Sequence, residues 1–213
     1  MIKTREQWLK ERRKGIGASE ASAVLGLNPY MSNIELWQIK TGRIEPEDIS
    51  QKPYVKYGIE SEPHLRALFA LDFPQYEVSY REYDLFRNSQ HPFIFATLDG
   101  RLVEKATGRK GVLEIKTTEI LKSMQKENWK DKIPDNYYVQ VLHQLLATGW
   151  DFVILKAQLK YDFDGEVFLQ IKHYRIERSE VEEDLEYLEE KEVKFWTKNV
   201  LGDKKPDLIL PAL

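Results

Sequence analysis

TLDGRLVEKATGRKGVLEIKTT, residues 97–118, decides how this chain is read. Asp99 leads into a glycine, and Glu114 and Lys116 stand among Val112, Leu113 and Ile115. After the turn from Gly108 to Gly111, VLEIK has the pattern of a short, largely apolar strand. Carboxylates placed among buried apolar neighbours are costly unless a cation or partner compensates them. Two of them, with a lysine two residues past the second, form a minimal set for divalent-metal phosphodiester hydrolysis. The same residues also suit an edge strand with a solvated salt bridge, so the motif alone leaves both open. Glu-x-Lys recurs at Glu189–Lys191 and Glu192–Lys194, in an acidic helical run without strand context. There it predicts only solvated pairs.

Outward from that stretch, the pattern is mixed α/β. Helices are expected over 4–13, from Ser19 to Leu25, from a Ser32/Glu35 capping box to Gly42, and over about 54–71. Pro63 marks a kink or a later start in the last of these. Strands are expected at 76–86, 93–98 and 111–117. Pro134 opens a helix to Thr148, closed by Gly149, with Tyr137, Gln140 and Gln144 on one face; His143 points further round, to packing. Strands 152–160 and 166–175 flank Asp162–Gly165 as a hairpin. A final helix runs from a Ser179/Glu182 cap to about 198, with Val181, Leu185 and Leu188 as its apolar stripe.

The 213 residues fit one domain, 1–213, with a sizeable core. An apolar share of 42% is globular, and zero cysteines exclude disulfides, iron–sulfur clusters and thiol catalysis. No apolar run approaches a membrane span and MIKTREQWLKERRK lacks a signal-peptide core, so a cytoplasmic protein is expected. Net charge is −3, unevenly spread. Six cations (Lys3, Arg5, Lys10, Arg12, Arg13 and Lys14) face Glu6 and Glu11 at the front, whereas residues 177–192 are strongly acidic. Such a split suits a DNA-handling protein whose two ends face different ways, and equally two solvated helix faces.

Five segments in order carry a resemblance: RRKGIGASEASAVLGLNPY from Arg12, YGIESEPHLRALF from Tyr57, ATLDGRL from Ala96, GVLEIKTT from Gly111 and YYVQVLHQLLATG from Tyr137. Together they resemble the YqaJ-type viral recombinase family, which includes the lambda exonucleases, within the PD-(D/E)xK nuclease superfamily. The region after residue 165 matches loosely. The resemblance implies a central mixed sheet flanked by helices, in a restriction-endonuclease-like core with an N-terminal helical region. It further implies a magnesium-dependent 5′-to-3′ exonuclease of phage or prophage origin in a bacterial host. Such enzymes act on double-stranded DNA ends and pass the 3′ strand to a single-strand annealing protein. A homotrimeric ring rests on the resemblance alone.

By the same resemblance, Asp99, Glu114, Glu62 and the carbonyl of Ile115 would hold two Mg2+ ions, with Mn2+ able to substitute. Lys116 would acidify the attacking water or neutralise charge on the phosphate, and Gln140 would orient that water. Glu60, two residues from Glu62, falls on another helix face. Arg13, Ser19 and Thr97 match the region that binds a terminal 5′ phosphate, with Arg12 and Lys14 competing for the arginine's role. Leu98 stands where the superfamily motif has proline. Two other readings fit the sequence: a structure- or site-specific endonuclease on the same core, and a non-catalytic DNA-end-binding adaptor.

Overall fold

The computed structural model describes residues 4–120 and 127–210. Its helical front comprises α1 (Arg5–Arg12), α2 (Ala18–Val24), α3 (Asn33–Lys40) and α4 (Pro53–Asp72). Thr4 caps α1, its hydroxyl accepting from the Gln7 N–H, and Ser32 caps α3 by accepting from Glu35 at 3.1 Å. Helix α2 starts one residue earlier than expected, with Gly17 as its N-cap, and the Gly17 N–H donates to Glu20 Oε2 at 2.8 Å. Ser19 is therefore inside the first turn rather than capping it. Helix α4 runs unbroken through Pro63. A missing N–H there costs on the order of 3 kcal/mol, which burial of Leu65 and Phe69 on the same helix offsets.

Two sheets follow. The short β1 (Ile16–Gly17), β3 (Phe86–Arg87) and β4 (Ile94–Ala96) form a small sheet in the order β1-β4-β3. The main sheet has the order β2-β5-β6-β7-β8, with β2 at Tyr76–Ser79, β5 at Gly100–Glu104, β6 at Lys110–Ile120, β7 at Phe152–Phe163 and β8 at Glu166–Glu177. The expected strand 76–86 is thus two short strands in different sheets. Tyr83 adopts φ 56°, a left-handed backbone that ends any extended run. Strands β6 and β7 are parallel, so the chain must cross over between them, and α5 (Asp135–Thr148) is the crossover helix. Gly149, at φ 68°, closes α5 with its N–H on Leu145 O.

Alternation along β7 divides the core. Val153, Leu155, Ala157 and Leu159 face α2, α5 and α6 (Glu182–Lys194), meeting Ala21, Leu142, Leu145, Leu185 and Leu188. Phe152 and Ile154 face Leu65 and Phe69 of α4, with Leu113 and Ile115 of β6. Burying each such side chain stabilises by roughly 1.5–3 kcal/mol. Gly111 lies opposite Phe152 in the ladder, where a Cβ would come within 2.2 Å of the ring. A third cluster ties Ile16, Leu36 and Trp37 to Phe195 and Trp196.

The C-terminal expectation needs correcting. Ser179 lies in a 3-10 turn, Arg178–Glu180, and Val181 precedes α6 with no side-chain cap. The α-helical hydrogen bonding ends at Lys194 and continues as a wider π-helical stretch, Phe195–Leu201. No helix among the described residues is long and apolar enough to cross a membrane.

Candidate active site

The cleft exists because one strand starts late. Gly100, the first residue of β5, pairs with Leu113, so beyond Leu113 strand β6 has β7 as its only ladder neighbour among the described residues. Asp99 fills the first vacant ladder position with its side chain: Oδ2 accepts from the Ile115 N–H at 2.8 Å. Alternation along β6 turns Ile115 toward α4 and Glu114 and Lys116 toward α5.

Helix α5 meets Glu114 with two amides. Gln140 Nε2 donates to Oε1 at 2.7 Å, and Gln144 Nε2 to Oε2 at 2.5 Å. The Lys116 ammonium lies 2.6 Å from Oε1 and 5.1 Å from the centre of the Tyr137 ring. Tyr137, Gln140 and Gln144 do share the expected face. The salt bridge between Lys116 and Glu114 is buried rather than solvated, with 19% and 3% of the two side chains exposed.

From the other side α4 contributes Glu62, while Glu60 stays in solvent. Arg66, one turn on, donates to Glu62 Oε1 at 2.9 Å and also to the main-chain carbonyl of Asp99. Its guanidinium lies 3.7 Å from the centre of the Tyr80 ring. Sequence reasoning missed Arg66, although its i,i+4 spacing from Glu62 was a usable signal.

Burial holds the Asp99 carboxyl well above the usual carboxylate range, and Glu114 and Glu62 push the same way. Burial raises Glu62 too, against the pull of Arg66. For Lys116, burial favours loss of the proton, but Glu114 and Asp99 outweigh it and hold the ammonium above its ordinary value. Three carboxyls thus share the site with two cations, Lys116 and Arg66.

The cleft, about 270 Å³, is lined by Glu62, Asp99, Glu114, Ile115, Lys116 and Gln140. Ser19, Thr97 and Arg12 line the same cleft. Arg12 donates to Ser19 Oγ at 3.4 Å and lies over the Trp8 ring at 4.7 Å. The structure corrects the assignment of Arg13. Its guanidinium forks onto Glu45, one contact at 3.3 Å, and it does not line the cleft. Successive residues on a helix point about 100° apart, so only one of the two arginines can face Ser19.

As the side chains stand, no three His, Cys, Asp or Glu groups among the described residues are placed together to hold a metal ion. Amides, Lys116 and Arg66 hold the carboxylates instead. The chemistry of the donors nevertheless fits a hard divalent cation: three carboxyl residues line one cleft beside Ile115, and two of the three carboxyls are raised by burial and mutual repulsion.

Comparison with known proteins agrees with this architecture. Residues 7–151 match the model of the YqaJ-like viral recombinase domain. The chain is 34% identical over 209 residues to the YqaJ protein of Bacillus subtilis (strain 168), covering 96% of this chain and 59% of that protein. A protein of Acanthamoeba polyphaga mimivirus is 32% identical over 157 residues, 68% of this chain and 27% of that protein. This chain therefore spans about three-fifths or less of these relatives. Among solved structures, the alkaline exonuclease of Laribacter hongkongensis superposes with a TM-score of 0.59 at 21% identity, covering 93% of this chain and 98% of that one. Its complex with dAMP gives 0.57. The likeness is one of fold: a mixed sheet with flanking helices, as the PD-(D/E)xK reading expects.

Proposed function

We propose, from the premise that this chain belongs to the YqaJ-like viral recombinase domain family, that it is a metal-dependent 5′-to-3′ exonuclease acting on ends of duplex DNA. The observation that carries this reading is the convergence of Glu62, Asp99, Glu114, Lys116 and Gln140 in one cleft that Arg12 and Ser19 also line.

In this reading Asp99, Glu114, Glu62 and the Ile115 carbonyl hold magnesium, two ions per site and replaceable by manganese. When bound, these ions supply Lewis-acid stabilisation of the phosphate and a more acidic water. Lys116, kept protonated by its two carboxylate neighbours, places a fixed positive charge beside the scissile phosphate. Gln140 presents a neutral amide that orients a water without changing the charge of the site. Arg12, taking the role first given to Arg13, grips a terminal 5′ phosphate with Ser19 and Thr97. The 3′ strand then passes to a single-strand annealing protein, in the bacterial cytoplasm and from a trimeric ring enclosing the duplex.

The test is digestion of linear duplex with 5′-phosphate or 5′-hydroxyl ends, with magnesium or with chelator. Rapid, magnesium-dependent loss of the phosphorylated strand is expected, and slower loss of the hydroxyl end. Closed circular DNA cut as fast as linear DNA makes the protein an endonuclease instead. Binding to ends with no hydrolysis in any metal makes it an adaptor.

A further inference from the structure

A second concavity, a groove of about 770 Å³, lies between α1 and the loop 80–85. Four cations line it, Lys10, Lys14, Arg81 and Arg87, against Glu11 and Asp84. Local acids neutralise them only in part. Glu11 is shared between Lys14 at 2.5 Å and Arg87 at 2.8 Å, and Asp84 is taken by Arg101. Lys10 reaches only the exposed Glu6, at 3.0 Å, and Arg81 has no salt bridge among the described residues. On a chain of net charge −3, this is a local excess of positive charge.

The groove shares its wall with the active-site cleft. Arg12, at the cleft, lies over the Trp8 ring, and that ring is 6.2 Å from Tyr83 at the groove. The loop likewise spans both sites: Tyr80 covers Arg66, which holds Glu62, while Arg81, Tyr83 and Asp84 border the groove. Tyr83 keeps its left-handed backbone, which costs a residue with a Cβ about 1–2 kcal/mol. Such strain persists where surroundings dictate it, often beside binding sites.

We infer that this groove holds the phosphate backbone of the duplex whose end occupies the cleft, an inference that rests on the nuclease reading above. A groove lined by four cations suits the repeating phosphodiester of a nucleic-acid backbone. The common wall makes groove and cleft one continuous track.

The test is the double substitution Lys10→Glu/Arg81→Glu in the full chain, both positions being exposed. Binding to linear duplex is measured by fluorescence anisotropy in chelator across a salt series. With magnesium, hydrolysis is measured for the linear duplex and for the nitrophenyl ester of thymidine 5′-phosphate, which is too small to reach the groove. Affinity for duplex is expected to fall about tenfold or more, and the salt slope to flatten by about 2, at roughly 0.9 for each phosphate no longer neutralised. Turnover of the small ester is expected to be unchanged. Affinity and slope equal to the unsubstituted chain overturn the groove and leave the cleft reading standing. Groove-dependent binding with no hydrolysis of either substrate sinks the cleft reading and upholds the groove. If circular dichroism shows that charge reversal disturbs the fold, Lys10→Gln/Arg81→Gln is read by the same criteria, with a slope change of about 1–2.

Discussion

Helix α5 serves two buried ionic clusters from adjacent faces, and they are built differently. On the cleft face, Gln140 and Gln144 hold Glu114 in a group where three carboxylates face Lys116 and Arg66. On the next face, His143 and Glu192 form a single pair, both side chains wholly buried. His143 Nδ1 lies 2.6 Å from Glu192 Oε1, and Nε2 lies 2.9 Å from the Phe95 carbonyl. Both ring nitrogens face oxygen atoms, and Glu192 and the Phe95 carbonyl favour the protonated ring over the neutral one. This pair is one acid matched by one base, whereas the cleft cluster crowds three carboxyls around two cations. The pair suits a structural role, and the cluster suits the chemistry proposed above.

Three measurements break or sharpen this contrast. His143→Ala leaves Glu192 buried and unpaired, and is expected to cost about 3–5 kcal/mol by chemical denaturation. A loss under about 1 kcal/mol would remove the pair's structural role. Lys116→Ala or Asp99→Ala is expected to slow end-degradation about 10²–10³-fold, roughly 3–4 kcal/mol of barrier, while the molecule stays folded. Unchanged degradation by either variant ends the catalytic assignment.

The smallest effect is in pH. Burial alone would lower the affinity of His143 for its proton, but Glu192 and the Phe95 carbonyl outweigh it and raise the value above that of an ordinary histidine. The folded state then binds more protons than the unfolded one above the ordinary value, so stability falls as pH rises. The contribution is full below about pH 6.5 and fades as pH climbs through the folded value, at no more than about 1.4 kcal/mol per pH unit. His143→Gln should abolish that slope, and an identical pH profile in the variant would show that the ring is not charged.

Much of the cleft was legible in the sequence because its determinants are local. The i, i+3 and i+4 spacing placed Gln140 and Gln144 together, Gly149 marked the end of α5, and the apolar frame of Glu114 marked a strand. What escaped depends on tertiary packing. Glu192 belongs to a Glu-x-Lys copy expected to be solvated, yet it is buried, because only the approach of α6 to α5 puts it opposite His143. Arg12 and Arg13 are chemically alike, and their different fates follow from where Trp8, Ser19 and Glu45 stand. The loop 80–85 has strand-like residues, but the chain leaves one sheet for the other there, a change no local propensity encodes.

The ladder between β6 and β7 has one more consequence. It sets Glu114 against Leu155, Ile115 against Lys156 and Lys116 against Ala157. A slip of a single residue would send Ile115 into the cleft and press Glu114 and Lys116 into the hydrocarbon beneath α4. Such a mispaired chain would lose both its core packing and the assembled cleft. In the exonuclease reading proposed above, specific activity would therefore report correct strand pairing.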